Sequence, residues 1–292
     1  MKKFTVMLTK YIGLVLCGTM LSGCTGLFFY PMTPHVSTPD SLGYQYKDVF
    51  LNAEDGTRLH AWLIEPKPPV RGTVYFLHGN AENISTHYRA TVWLLESGYQ
   101  VFALDYRGYG LSEGTPDVPE VFTDIEAGAQ WLNKHITSVA SEAQPLYLLG
   151  QSLGGTLAIR YAAMNVNFSS RFDGLITEAA FPRFDTIARD VASRHWLTWG
   201  AQYPAQWLIP RDHDPLDVID QLAGVPKLMI HSADDEIIPY HFGKQLFDAA
   251  PEPKIEIVAS GPHIRAAADP TLRQAVLDFM QKPSSPEKLQ AR

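Results

Sequence analysis

The chain has only two cysteines, Cys17 and Cys24, both within its first 24 residues. Beyond them no disulfide framework and no cysteine metal site can be built. Basic residues are in the minority, 24 Lys plus Arg against 31 Asp plus Glu, for a net charge of -7. That balance lacks the electrostatic footprint of a nucleic-acid-binding protein, so no nucleic-acid partner is expected. Gly and Pro, 21 of each in 292 residues, are too few for a collagen-like or low-complexity chain. The apolar stretch from Tyr11 to Met20 is shorter than the roughly 20 residues that span a bilayer. What is abundant is hydrophobic sequence, 46% of the chain, enough to bury the core of one large domain or two small ones.

Lys2, Lys3 and Lys10 precede that apolar stretch, which is the layout of a secretory signal. Leu21-Ser22-Gly23-Cys24 comes next and resembles the bacterial lipobox, in which cleavage falls before a cysteine that becomes acylated. The resemblance implies a signal peptide over residues 1–23 and lipidation at Cys24. Thr25, rather than Asp, follows the cysteine. By resemblance to Gram-negative lipoproteins this places the chain at the outer membrane, facing the periplasm. Several acyl chains on one cysteine anchor durably where a single chain does not. Residues 24–43, with Pro31, Pro34 and Pro39 and little periodicity, read as a tether whose Leu27–Tyr30 cluster packs on the domain. Residues 282–292 read as a frayed tail.

Between these ends, strand-like and helix-like runs alternate. Val49–Asn52 and Leu59–Glu65 flank Asp55-Gly56, a hairpin signal. Thr73–Leu77, Val101–Tyr106, Leu146–Leu149, Gly174–Thr177, Lys227–His231 and Lys254–Val258 are continuous apolar runs, as in parallel strands buried on both faces. Helical patterns cover Ser85–Ser97, Val118–His135, Leu153–Met164, Tyr240–Ala249 and Thr271–Gln281. The alternation predicts one α/β domain over residues 44–281. Residues 182–224 interrupt it with Trp196, Trp199, Tyr203 and Trp207 in helix-compatible surroundings. They read as a helical lid over the carboxyl edge of the sheet, where open α/β sheets bind ligands. Most of these aromatics are expected to be core of the insertion.

Gly150-Gln151-Ser152-Leu153-Gly154 matches G-x-S-x-G between a predicted strand and a predicted helix, the setting of a nucleophile elbow. Glycines flank the serine because strand and helix must pass closely at a strained turn. A serine hydroxyl needs a base. His263, in Gly261-Pro262-His263 directly after the last strand, is the candidate, whereas His195, His213, His231 and His241 read as structural or solvated. Asp234, Asp235 and Glu236 compete to orient it. An oxyanion hole needs two N–H donors, and the backbones of Leu153, after the nucleophile, and Asn80, in the His78-Gly79-Asn80-Ala81 loop, are assigned. Such a donor is worth roughly 3–4 kcal/mol in a transition state.

These residues resemble the alpha/beta-hydrolase superfamily, and a branch of small serine hydrolases in particular. The matching pieces are His78 to Ile84, Leu104 to Gly114, the Gln151-Ser152 elbow, Asp235 to Pro239 and Gly261 to His263. The resemblance spans about Leu27 to Met280. It implies a mostly parallel sheet of about eight strands with helices on both faces, a variable lid, and a Ser152–Asp235–His263 triad, with Asp235 preferred to Asp234 for its spacing to Pro239. Ser232 departs from the glycine that relatives often carry there, which alters the turn toward the acid without removing it.

The function expected is a carboxylesterase-like serine hydrolase that cleaves an ester or thioester of a small-molecule acyl substrate through an acyl-enzyme, without cofactor or metal. The alternatives are a serine peptidase or amidase on small peptides, or a non-catalytic envelope binding lipoprotein. Gly108-x-Gly110-x-x-x-Gly114 has the wrong spacing for a dinucleotide loop. Arg211-Asp212-His213-Asp214-Pro215 offers one histidine and reads as a solvated turn rather than a metal site.

Overall fold

The computed structural model describes residues 26, 28–67, 69–139, 144–194, 203, 206, 207, 209 and 211–281. The signal, Cys24, Trp196, Trp199, His195 and the tail 282–292 lie outside the described residues. No helix among those described is long and apolar enough to cross a membrane.

Ten strands are formed among the described residues: β1 Tyr30–Pro31, β2 Tyr46–Asn52, β3 Arg58–Ile64, β4 Gly72–Leu77, β5 Ala81–Glu82, β6 Tyr99–Asp105, β7 Leu146–Gln151, β8 Gly174–Glu178, β9 Lys227–Ser232 and β10 Lys254–Ala259. Eight make one sheet in the order β10-β9-β8-β7-β4-β6-β3-β2. Its pairings are parallel except β2 with β3 and β3 with β6. The hairpin closes at Asn52 opposite Arg58, with Gly56 at φ 87 in the turn.

Side chains alternate across the sheet, so each central strand feeds two cores. Tyr75 and Leu77 of β4, Phe102 and Leu104 of β6 and Leu148 of β7 pack on one face, under the long helices Val118–Val139 and Leu153–Met164. Val74, Phe76, Val101, Ala103 and Tyr147 pack on the other, with Trp93, Leu94 and the helix Pro270–Met280. Two-sided burial is why these strands are near-continuous apolar runs.

Two expectations are corrected. The helix anticipated over Ser85–Ser97 is broken: Ile84–His87 and Val92–Glu96 are α-helical, with a 3-10 turn between them. Thr91 lends its hydroxyl to the Tyr88 carbonyl at 2.7 Å, a local bond that competes with regular helix. The second correction concerns residues 24–43, read as a tether with only the Leu27–Tyr30 cluster packed on the domain: docking extends past that cluster to Met32 and Pro34. β1 pairs in parallel with β5, and Phe29 is buried. Asn83 Nδ2 donates to the carbonyls of Met32 and Pro34 at 2.8 and 2.9 Å. Prolines lack N–H groups but keep acceptors, so the buried Asn83 can hold a segment with no periodicity of its own.

A protein beginning at Thr25 keeps these contacts and is expected to be folded. One beginning at Tyr44 loses the Phe29 burial and strands Asn83, which should lower its melting temperature by roughly 10 °C. Equal melting curves for the two would contradict the docking.

Candidate active site

Strands β7 to β10 run parallel in one sheet, so Ser152 after β7, Asp235 after β9 and His263 after β10 all lie at its carboxyl edge. Ser152 stands at the end of β7 with φ 55 and ψ -119, a conformation that costs a non-glycine residue about 1–3 kcal/mol. The surroundings impose it. Ser152 N–H donates to the Glu178 carbonyl at 2.8 Å, and Thr156 N–H donates to the Ser152 carbonyl as the helix begins. A Cβ on Gly150 would lie 2.3 Å from the Gly154 carbonyl oxygen, and one on Gly154 2.2 Å from that of Leu77. Only glycine fits either place.

After β9 the chain turns so that the buried Asp235 receives His263 from the loop after β10. Oδ2 of Asp235 lies 2.7 Å from Nδ1 of His263. Oδ1 accepts the N–H groups of Ile237 and Ile238 at 2.9 and 2.8 Å. Burial pushes the Asp235 carboxyl up, but the His263 hydrogen bond and the two backbone donors outweigh it and hold it below the ordinary value. Asp234 is exposed and faces elsewhere, accepting Gly261 N–H at 3.0 Å. Glu236 is exposed. His231 is buried, with Nε2 2.7 Å from the Ile238 carbonyl, and burial lowers its pKa. His241 is exposed and His213 half-buried.

The loop after β4 lies alongside. A Cβ on Gly79 would stand 3.7 Å from Cβ of Ser152, so this backbone passes beside the serine. Burial, with His87 nearby, pushes His78 down to about 4, so its ring is neutral. Its Nδ1 is 2.8 Å from the Gly79 carbonyl oxygen and can donate to it. In a trans peptide that oxygen and the Asn80 N–H point in opposite directions. Holding the oxygen toward His78 therefore aims the Asn80 N–H away from it. The next carbonyl, that of Asn80, is fixed by Tyr109 Oη at 2.6 Å and Tyr30 N–H at 2.8 Å. Leu153 is the first residue of its helix, where N–H groups lack intrahelical partners.

Sequence reasoning missed Glu178. This buried carboxylate accepts Gln151 Nε2 at 2.6 Å and Ala266 N–H at 2.8 Å, linking the elbow to the turn after His263. Burial raises its pKa. No sequence signal marks it, because its partners are distant in the chain.

Asp214 corrects another reading. It is buried rather than solvated, and its Oδ1 accepts Phe184 N–H at 2.8 Å at the start of the helix Phe184–Ser193. Arg183 pairs with its other oxygen at 3.1 Å. Burial pushes this carboxyl up to about 6 against the pull of the Phe184 N–H and Arg183. The unfolded value lies near 3.9. The native state thus binds the proton more tightly, and the group's contribution to stability falls as pH rises from about 4 through 6. Asp214→Asn should gain on wild type across that window by on the order of 3 kcal/mol, read from urea unfolding at about pH 4 and pH 7. A pH-independent difference would contradict this origin. Of the aromatics expected in the lid, Tyr203 is half exposed beneath Arg189 and Trp207 is exposed, so neither is core.

The parallel sheet, the sharp elbow at Ser152 and the hydrogen-bonded acid–histidine pair at one edge define an alpha/beta hydrolase. Residues 68–219 match the family model described as "Serine aminopeptidase, S33", and the chain belongs to that hydrolase family. The protein YfhR of Escherichia coli K12 is 30% identical over 89% of this chain and 88% of its own length. The alpha/beta hydrolase domain-containing protein WAV2 of Arabidopsis thaliana is 30% identical over 82% of this chain and 80% of its own. Among solved structures, an esterase of Pyrococcus furiosus superposes with a TM-score of 0.72 at 22% identity, covering 88% of this chain and 99% of that one. An esterase of Exiguobacterium antarcticum reaches 0.61 at 20% identity, covering 81% and 100%. These two likenesses are of fold.

Proposed function

We propose that the protein is a serine hydrolase that cleaves an ester or thioester through an acyl-enzyme intermediate. The observation that carries the reading is the 2.7 Å contact of His263 Nδ1 with Asp235 at the sheet edge that also holds Ser152 in its left-handed turn. With Nδ1–H given to the carboxylate, Nε2 is left as a lone-pair base. Ser152 Oγ adds to the acyl carbonyl while its proton passes to His263 Nε2. The resulting oxyanion takes the N–H groups of Asn80 and Leu153. Collapse breaks the bond to the leaving oxygen or sulfur, which takes the proton from His263. Water then attacks the acyl-enzyme by the same relay and restores Ser152. Asp235, held ionised, keeps the imidazole in the working tautomer and stabilises its charged form.

The family description favours a second reading, amide or peptide cleavage, through the same residues. Esterases among the structural neighbours and a lysophosphatidylserine lipase of Danio rerio, 29% identical over 62% of this chain, favour acyl esters. A panel of p-nitrophenyl esters of increasing chain length beside peptide anilides separates the two. Turnover of the esters with negligible anilide cleavage is expected, and the reverse order would make the enzyme a peptidase.

The lipobox-like residues Leu21 to Cys24 support anchorage of the mature chain in a bacterial outer membrane, facing the periplasm. Cys24→Ser should move the protein out of the acylated membrane fraction, because the hydroxyl is a weaker acyl acceptor than the thiol. Fractionation and then intact mass of the N-terminal peptide read this. A wild-type peptide starting at an acylated Cys24 is expected, and one with an unmodified Cys24 contradicts the anchor.

A further inference from the structure

Histidines from three segments far apart in sequence converge on one buried carboxylate behind the loop that carries Asn80. Asp105 ends β6 with its side chain fully buried. Its Oδ1 accepts Ile84 N–H at 2.9 Å and lies 3.6 Å from His78 Nε2. Its Oδ2 faces His35 Nε2 at 3.2 Å and His60 Nδ1 at 3.7 Å.

His60 makes the arrangement unusual. The residue is fully buried, and its Nε2 lies 2.8 Å from Asp48 Oδ1, which also accepts Trp62 Nε1–H at 2.9 Å. Its Nδ1 has no hydrogen-bond partner among the described residues. If Nε2–H is given to Asp48, the Nδ1 lone pair points at the lone pairs of an ionised carboxylate. Two bases facing one another out of water repel unless a positive charge stands between them.

The ligand atoms of His35, His60 and Asp105 all lie within 4.8 Å of one another. Bonds of 2.0–2.1 Å in a tetrahedron put ligand atoms about 3.4 Å apart, close to the 3.2 and 3.7 Å found here. A histidine that binds metal through one nitrogen commonly gives its other N–H to a carboxylate, as His60 can to Asp48. Neutral imidazoles with a single carboxylate suit zinc and its neighbours better than calcium or magnesium. His35, slightly exposed, offers the way in.

We propose that His35 Nε2, His60 Nδ1 and Asp105 Oδ2 form a binding site for a divalent transition-metal cation of the zinc type. The cation is a staple and not a reactant. It joins the docked N-terminal segment to β3 and β6, and through Asp105 it braces Ile84 and the surroundings of His78. The residues are separated by 25 and 45 positions, and no short motif announces them.

The protein from Thr25 onward, stripped with EDTA and desalted, tests the proposal by zinc titration against a chromophoric chelator and by melting curves. One equivalent of zinc should bind, with a rise in melting temperature of several degrees. Cobalt in its place should give the visible absorption of a tetrahedral site. His35→Gln should weaken binding at least about 100-fold and abolish the melting response, while its metal-free melting curve stays within a few degrees of wild type. Asp48→Asn, which touches only the outer partner of His60, should weaken zinc by about 10–100-fold. His263→Ala should keep the equivalent, which separates this site from the catalytic edge. A failure of the serine-hydrolase reading would leave all these binding results unchanged. No stoichiometric zinc, or equal binding by wild type and both His35→Gln and Asp48→Asn, overturns the proposal.

Discussion

Ser152→Ala is expected to lower kcat by about 10⁶, the scale seen when a serine nucleophile is removed from a triad. The melting temperature should change little. The serine is small, its N–H and carbonyl keep their partners in Glu178 and Thr156, and alanine adopts the same φ at a similar cost. Loss of activity without loss of stability therefore assigns the hydroxyl to chemistry. If Ser152→Ala still turned over esters within tenfold of wild type, another group would be the nucleophile.

The second large effect is at the acid. Asp235→Asn should cost about 10⁴ in kcat if the pair works as in the serine-protease example. The amide oxygen can still accept Ile237 and Ile238 N–H, so the loop is retained. The amide nitrogen would then face His263 Nδ1 and favour the tautomer with its proton on Nε2, which cannot take the serine proton. Asp234→Asn should cost less than tenfold, because the amide oxygen can still accept Gly261 N–H and the carboxylate bonded to His263 is that of Asp235. If the two costs came out reversed, the wrong carboxylate would have been chosen.

Much of the frame was readable because its physics is local. A strand buried on both faces has to be apolar along its length, and each of the six anticipated runs lies within one of β4, β6, β7, β8, β9 and β10, apart from the last residue of Val101–Tyr106; the run Lys254–Val258 is corrected in its burial, because β10 is the edge strand and leaves Ile255 and Val258 exposed. Asp55-Gly56 marked the hairpin because the turn needs a residue at positive φ. Ser152, Asp235 and His263 were legible for a related reason. Each stands shortly after a strand, and parallel strands deliver the loops at their carboxyl ends to one edge.

The hidden part depends on contacts between distant segments. Glu178 lies one residue past the anticipated strand Gly174–Thr177, and its worth lies in Gln151 and Ala266, which sequence cannot bring near it. Residues 28–43 have no period, so their docking is decided by Asn83 and by the groove that takes Phe29. Asp214 sits in a run of charged and turn-forming residues that reads as solvated, yet the helix start at Phe184 buries it. The His35–His60–Asp105 cluster is of the same kind, since its members meet only after β3, β6 and the docked segment are in place.

Treating the intact wild-type protein with a fluorophosphonate, then measuring its mass and mapping the modified peptide, tests the central claim most directly. One adduct per chain on the peptide containing Ser152 is predicted, with none on the Ser152→Ala protein and slow labelling of Asp235→Asn. An unlabelled wild-type protein that is folded by its melting curve, or an adduct on a different residue, would contradict the serine-hydrolase account.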